Sequence, residues 1–243
     1  MKTLDAQHYL ISLSLRRDKV PSFTEYPYCL PVVRNLTEIE FHPNVTFLIG
    51  ENGAGKSTLL EAIAVASGFN PEGGSRNFNF ATRASHSPLH EVLNLSKGIK
   101  RPKDGYFLRA ESFYNVASEI DRLGVSDSYG GRSLHEQSHG ESFFALVTKR
   151  FGGNGLYLLD EPEAALSPSR QLALLSRLHQ LVQAKSQFII ATHSPILLAY
   201  PQASIFSLTE RAITRVNYTD TEHYAVTREF LNRHEAMLKE LLG

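Results

Sequence analysis

The 243-residue chain has a single cysteine, Cys29, and no tryptophan. A lone cysteine excludes an intrachain disulfide and a cysteine-rich zinc site. Net charge is absent too: 25 Lys and Arg balance 25 Asp and Glu. Such a balance argues against a chain that coats nucleic acid or anionic membrane indiscriminately, while leaving room for a local basic patch. No apolar run approaches the roughly 20 residues that span a bilayer. The N-terminus, MKTLDAQHYLISLSLRRD, carries Asp5 and His8 where a signal peptide needs an unbroken apolar stretch. These absences predict a soluble, cytoplasmic protein without direct membrane insertion. What is present is apolar: 42% of the residues, enough to fill a core and to exclude a disordered or collagen-like chain. At roughly 150 residues per domain, the length predicts one large domain, or one with a lobe inserted in it.

Strands and helices alternate along the chain. Ile11, Leu13 and Leu15 alternate with serines as a first strand. A proline-rich covering segment, VPSFTEYPYCLPVV, follows. Val45–Ile49 is a short apolar strand ending at glycine, and Lys56 to about Ala66 has helical spacing. Residues 68–104 are rich in Gly, Ser, Asn, Pro and basic side chains, which predicts a mobile region. Leu89, Val92, Leu93 and Leu95 suggest one short helix inside it. A strand is expected at Tyr106–Ala110, a helix from Ser112 to Gly124, and another over Gly140–Phe151. Leu156–Leu159 is an apolar strand. Ser167-Pro168 caps a helix carrying Leu172, Leu175, Leu178 and Val182. Strands at Phe188–Ala191, Ile205–Leu208 and Ile213–Val216 precede helices from about Glu222 to Leu242. The fold class is α/β.

Two segments carry chemistry. Gly50-Glu51-Asn52-Gly53-Ala54-Gly55-Lys56-Ser57-Thr58 fits G-x-x-x-x-G-K-[ST]. Glycines let backbone N–H groups converge on phosphate oxygens, and the following helix points its N-terminal dipole at the same anion. Lys56 supplies a charge at the β- and γ-phosphates, and Ser57 a hydroxyl for Mg²⁺. The second segment is Leu156-Tyr157-Leu158-Leu159-Asp160-Glu161. It delivers two carboxylates to the C-terminal end of a buried strand, where ligands bind in open α/β sheets. Asp160 is placed to hold Mg²⁺ or its waters, and Glu161 to polarise an attacking water.

In order along the chain, these segments resemble the ABC-type ATPases. Asp160-Glu161-Pro162-Glu163 with Ala165-Leu166-Ser167-Pro168 looks like their Walker B and D-loop. Ala191-Thr192-His193-Ser194-Pro195 resembles their switch histidine, and Gln137-Ser138-His139-Gly140-Glu141 stands in the place of their signature. The resemblance covers roughly residues 30–210. It implies a P-loop NTPase fold with an ABC-type head: a mixed sheet flanked by helices, plus an inserted helical lobe at approximately 70–150 within a single domain over 1–243. It also implies ATP and Mg²⁺ as cofactors and an ATP-dependent homodimer, with two heads sandwiching two nucleotides. Ser138 and Gly140 would then touch the γ-phosphate held by the other head, and Leu166 and Ser167 would lie at the dimer seam. His193 would hydrogen-bond the γ-phosphate, and Glu161, His193 and Lys56 would form the catalytic set.

The departures are informative. His139 and Glu141 replace a glycine and a glutamine of the transporter signature, which brings the chain nearer to SMC-type and repair ATPases and to stand-alone ATPases often labelled AAA. No glutamine stands where the Q-loop should follow Tyr106–Ala110. Glu111 is nearest, either as a ligand of Mg²⁺ or its water or as a first-turn acid facing the helix dipole. Tyr26, Tyr28 and Arg34 are candidates to contact adenine, or pack a loop over the sheet. Lys97, Lys100, Arg101 and Lys103 form a basic stretch, with Arg76 and Arg83 before it. It is either a solvated loop or a nucleic-acid contact. Three functions compete: an ATP-hydrolysing dimeric switch acting on a partner protein or nucleic acid, the ATP-binding subunit of an ABC transporter, and a non-hydrolysing nucleotide-binding module. The intact Lys56, Asp160, Glu161 and His193 favour the first.

Overall fold

The computed structural model describes residues 8–76, 87–109 and 139–243. Its centre is a six-stranded sheet in the order β5-β6-β7-β3-β8-β9. The strands are β3 (Val45–Ile49), β5 (Asp104–Arg109), β6 (Gly155–Asp160), β7 (Gln187–Ala191), β8 (Ser204–Leu208) and β9 (Ile213–Val216). All neighbours run parallel except β9, which returns antiparallel on β8. Every residue of β3, β6 and β7 is buried. That is why these segments read as unbroken apolar runs: a central parallel strand is covered on both faces. A smaller antiparallel sheet has the order β2-β1-β4, made of β1 (Leu10–Leu15), β2 (Glu38–Glu40) and β4 (Leu93–Lys97).

Alternation along the central strands divides the interior in two. Phe47, Tyr157, Leu159 and Ile190 face one cluster, with α3 (His139–Ala145), α4 (Pro168–Gln183) and α5 (Pro195–Leu198). Leu48, Leu156, Leu158 and Ile189 face the other, with α1 (Pro31–Arg34), α2 (Lys56–Ala66) and the small sheet. Each fully buried Leu or Phe stabilises the fold by about 1.5–3 kcal/mol relative to exposure. The last helix, α6 (Glu222–Leu242), has no buried residue and breaks helical geometry at Arg233.

Several expectations are revised. The short helix over 89–95 is instead a 3₁₀ turn, Pro88–Val92, running into β4. Leu93 is buried, and β4 pairs with β1 along its length. Of the region expected to be mobile, 68–104, the described stretch 87–104 is thus mostly edge strand and turn. Of the inserted lobe expected at about 70–150, the stretches 77–86 and 110–138 lie outside the described residues. Within it, β4 and β5 belong one to each sheet. The helix over 140–151 is α3 followed by a π turn, Leu146–Arg150. On α4 the buried stripe is Leu174, Leu178, Leu181 and Val182, whereas Leu172 is 59% exposed. The spacing of 4, 3 and 1 marks the face turned to the sheet. The helix expected from Ser112 to Gly124 lies outside the described residues.

Candidate functional site

The C-terminal ends of β3, β6 and β7 converge on one edge, and each delivers part of the site. After β3 the chain turns through Gly50 (φ 154°), Gly53 (φ 83°) and Gly55 (φ 91°) into α2. Gly50 and Gly55 are also fixed by close approach. A Cβ at Gly50 would stand 2.3 Å from the Leu208 carbonyl oxygen, and one at Gly55 would stand 2.5 Å from Val32 Cγ1. Gly55 is the N-cap of α2 and offers no side chain to the first-turn amides of Lys56, Ser57 and Thr58. Those amides remain directed at the loop, the arrangement that suits an anion. Glu51 and Asn52 are exposed, and Ala54 and Thr58 are half-buried.

Lys56 is buried. Its Nζ donates to the carbonyls of Gly50 (2.9 Å) and Glu51 (3.1 Å), so the amine closes the loop on itself. Burial lowers its pKa, and the charges of Glu161, Asp160 and Glu163 oppose that shift. The Ser57 hydroxyl donates to Asp160 Oδ1 at 3.0 Å, joining the loop to the end of β6. Two hard oxygens at that separation, at the mouth of a phosphate loop, are a donor set that fits Mg²⁺ with water completing the shell. Among the described residues no group of three or more His, Cys, Asp or Glu gathers as a metal cluster.

Glu161 follows Asp160 in a left-handed conformation, φ 49°, with its N–H bonded to the Ala191 carbonyl (2.9 Å). A non-glycine residue there is uncommon and accompanies functional strain. The turn aims the half-exposed carboxylate toward His193, whose Nε2 is 3.8 Å from Glu161 Oε1. The His193 N–H donates to Glu163 Oε1 at 2.6 Å. Burial raises the Glu163 pKa, opposed by this hydrogen bond. His193 Nδ1 lies 3.1 Å from His223 Nε2, in the first turn of α6. Burial lowers the pKa of both rings. Lys56 adds to this at His193, and His193 itself adds to it at His223. Beside the loop opens a cleft of about 1160 Å³, walled by Gly50–Ala54, His193, the end of β8 and the first turns of α6.

Gly140 lies in the first turn of α3, against the segment after Glu161. A Cβ there would stand 2.5 Å from the Ala165 carbonyl oxygen and 2.6 Å from Arg170 Nη1. Glu141 reaches Arg170 Nη2 at 3.5 Å. Gly140 and Glu141 are therefore packed against the segment after Glu161 within one protomer.

A family model described as "AAA domain" matches residues 26–117. A second, described as "AAA domain, putative AbiEii toxin, Type IV TA system", matches residues 83–199. The manganese transport system ATP-binding protein MntB of Bacillus subtilis is 25% identical over 209 residues, covering 72% of this chain and 79% of that protein. The ABC transporter G family member STR2 of Medicago truncatula is 28% identical over 171 residues. That match covers 62% of this chain, but the chain spans only about a quarter (24%) of the plant protein's length. Among solved structures, CbiO1 from Clostridium perfringens, part of the ABC transporter complex CbiONQ, overlays with a TM-score of 0.50 at 17% identity. It covers 96% of this chain and 99% of that one. The chain has the fold of an ABC-type P-loop ATPase.

In this fold the expected residues Gly50, Asn52, Gly53, Ala54, Gly55, Lys56, Ser57, Thr58, Asp160, Glu161 and His193 share one edge of the sheet. Ser138 and Glu111 lie outside the described residues. Leu166, expected at a dimer seam, is buried in its own protomer's core, while Ser167 is exposed as the N-cap of α4. Tyr28 is buried and Tyr26 is 65% exposed. Neither they nor Arg34 line the cleft, where Pro31 represents that segment. The basic stretch runs from the last residue of β4, Lys97, to Lys103 just before β5. Lys97 donates to the Ala66 carbonyl, and the Lys103 N–H to that of Asn154. Arg83 lies outside the described residues, and Arg76 sits over the Phe69 ring. Glu163 and His223 are the site residues that sequence reasoning passed over. Glu163 was visible as the third acid of Asp-Glu-Pro-Glu. Nothing local marks His223, which reaches the site only through tertiary packing.

Proposed function

We propose that this head binds ATP with Mg²⁺ and hydrolyses it, as a switch that closes when two copies pair over nucleotide. The observation that carries the reading is the 3.0 Å bond from Ser57 to Asp160, with Glu161 the next residue. It unites phosphate loop, candidate metal ligands and candidate base in one constellation. Ser57 and Asp160 would hold Mg²⁺, which neutralises charge on the phosphates. The backbone amides of 53–58 and the Lys56 ammonium would bind and orient the phosphate chain. Glu161 would accept the proton of the attacking water, and His193 Nε2 would donate to the γ-phosphate. Gly140 and Ser138 would face the nucleotide of the second copy, and the lobe within 70–150 would carry them there.

Among the described residues no helix is long and apolar enough to cross a membrane. The relatives named for transport associate with that process. The changed signature, His139 and Glu141, is what favours a switch for a partner protein or nucleic acid over a transporter subunit. Glu161→Gln tests the reading. ATP binding should persist and turnover should fall roughly 100-fold or more, the loss expected for a general base. A dimer should accumulate with ATP and Mg²⁺ by light scattering. Turnover at the wild-type rate would remove Glu161 as the base, and a monomer at saturating ATP would remove the paired switch.

A further inference from the structure

We infer that His223 is a positioning residue for His193: its Nε2–H donates to His193 Nδ1 and thereby fixes the switch histidine with its own proton on Nε2, facing the phosphate site. The inference deepens the ATPase reading and rests on it for its kinetic consequence. The pairing itself stands on geometry.

The two rings meet at 3.1 Å between Nδ1 of His193 and Nε2 of His223, with centroids 5.3 Å apart and planes inclined at 48°. One nitrogen of the pair must donate and the other accept, because burial holds both rings toward the neutral form. The choice between the two tautomers is set by what the far nitrogen of His193 faces. His193 Nε2 points toward the Glu161 carboxylate, 3.8 Å away, and is buried without a hydrogen-bond partner among the described residues. An acceptor lone pair aimed at a carboxylate, or at a γ-phosphate, is repelled, whereas an N–H there is attracted. The proton therefore belongs on His193 Nε2, Nδ1 is the acceptor, and His223 is the donor.

Everything else around His193 Nδ1 leaves this role to His223. The backbone N–H of His193 is taken by Glu163, and the neighbouring Ser194 hydroxyl is taken by Gln171 at 2.5 Å. Lys56, Glu161, Glu163 and Glu222 are the charged groups that act on the pair. His223 is itself placed by tertiary structure. Thr221 caps α6 through its hydroxyl, which accepts from the Tyr224 N–H, and Tyr218 OH ties the preceding turn to the carbonyl of Pro195, the first residue of α5. The protonation pattern of the switch thus depends on how the first turn of α6 docks.

The test is a long-range proton–nitrogen NMR spectrum of ¹⁵N-labelled protein, with His193→Asn used to assign the ring. Wild type should show His193 protonated on Nε2. His223→Phe keeps a ring but removes the donor, and should convert that signal to a mixture of tautomers. His223→Gln places an amide N–H near the lost one and should restore it. A wild-type ring protonated on Nδ1, or a His193 spectrum unchanged by His223→Phe, overturns the inference. These spectra decide the pairing whether or not the protein turns over ATP, so their failure is separable from that of the Glu161 assignment. In an active protein, His223→Phe should lower kcat roughly 10-fold with KM for ATP little changed, and His223→Gln should recover most of the loss. Equal kcat for wild type and His223→Phe would also overturn it.

Discussion

The two ends of the central strands are built on opposite plans. At the amino ends, buried polar groups are closed off by hydrogen bonds. Gln187 opens β7 and is fully buried. Its Oε1 accepts from the N–H groups of Tyr9 (3.0 Å) and Leu10 (2.9 Å), and its Nε2 donates to the carbonyls of Leu10 (2.8 Å) and His42 (3.0 Å). Two strands away, at the start of β5, Asp104 accepts from Arg150 Nη1 (2.8 Å), Tyr157 OH (2.7 Å) and the N–H of Gly152 (3.1 Å). At the carboxyl ends the polar groups are gathered but not closed. His193 Nε2 and His223 Nδ1 are buried without hydrogen-bond partners among the described residues, and Glu161 sits at positive φ. Closed networks contribute stability, while open ones in a low dielectric cost stability and are ready to meet a ligand. One sheet therefore carries its anchorage at one end and its candidate chemistry at the other.

The contrast can be attacked from the amino end first. Gln187→Ala strands two backbone donors and two acceptors and should destabilise the fold by about 3–5 kcal/mol. That corresponds to a fall in Tm of roughly 10 °C for a domain of this size, measured by calorimetry. ATP affinity of the folded fraction should be unchanged, and a loss of binding without loss of Tm would break the comparison. Asp104→Asn should cost about 1–3 kcal/mol. Its folded pKa is lowered, with burial opposing and Arg150 and Tyr157 driving the shift. The stabilisation is therefore fully present above the unfolded value near 4 and is lost as pH falls through the folded value. Wild type and Asp104→Asn should converge in Tm as the pH is lowered through that range.

The smallest effect has the opposite sign. Glu163 at the carboxyl end has a raised pKa because of burial. Its charged form is thus a cost, present above the folded pKa and relieved as pH falls toward the unfolded value. Glu163→Gln keeps an acceptor for the His193 N–H and removes the charge. At neutral pH it should stabilise the protein by under about 1 kcal/mol, seen as a small rise in Tm. A fall as large as that of Asp104→Asn would show that the carboxyl end is anchorage as well.

Much of the fold was legible in the sequence. Lys56–Ala66 has the helical bounds that its spacing predicted, and Val45–Ile49 is the strand expected before the loop. These segments are governed by local rules: a glycine-rich turn, a helix start, an apolar run too short for a helix. β4 was misread as helix because an edge strand with one half-buried face has little more pattern than a short amphipathic helix. Which of the apolar residues carried by α4 turn inward was not legible either, for a related reason. Apolar residues stand on several sides of that helix, and only its neighbours decide which side turns inward. Leu166 was assigned to a seam by resemblance, while the core of its own protomer claims it.

The sequence alone determined the glycine-rich turn and the helix start after it, because both lie in consecutive residues whose backbone geometry follows from local rules. It also determined the balanced charge and the alternation of strand and helix. Tertiary structure decided the remainder of the site. Asp160 reaches Ser57 across 103 positions of chain, and His193 reaches His223 across 30. These contacts exist because parallel strands bring their carboxyl ends to one edge and α6 docks its first turn there. A hydrogen bond between distant residues leaves no period or spacing in the chain, so only the packed fold could show it.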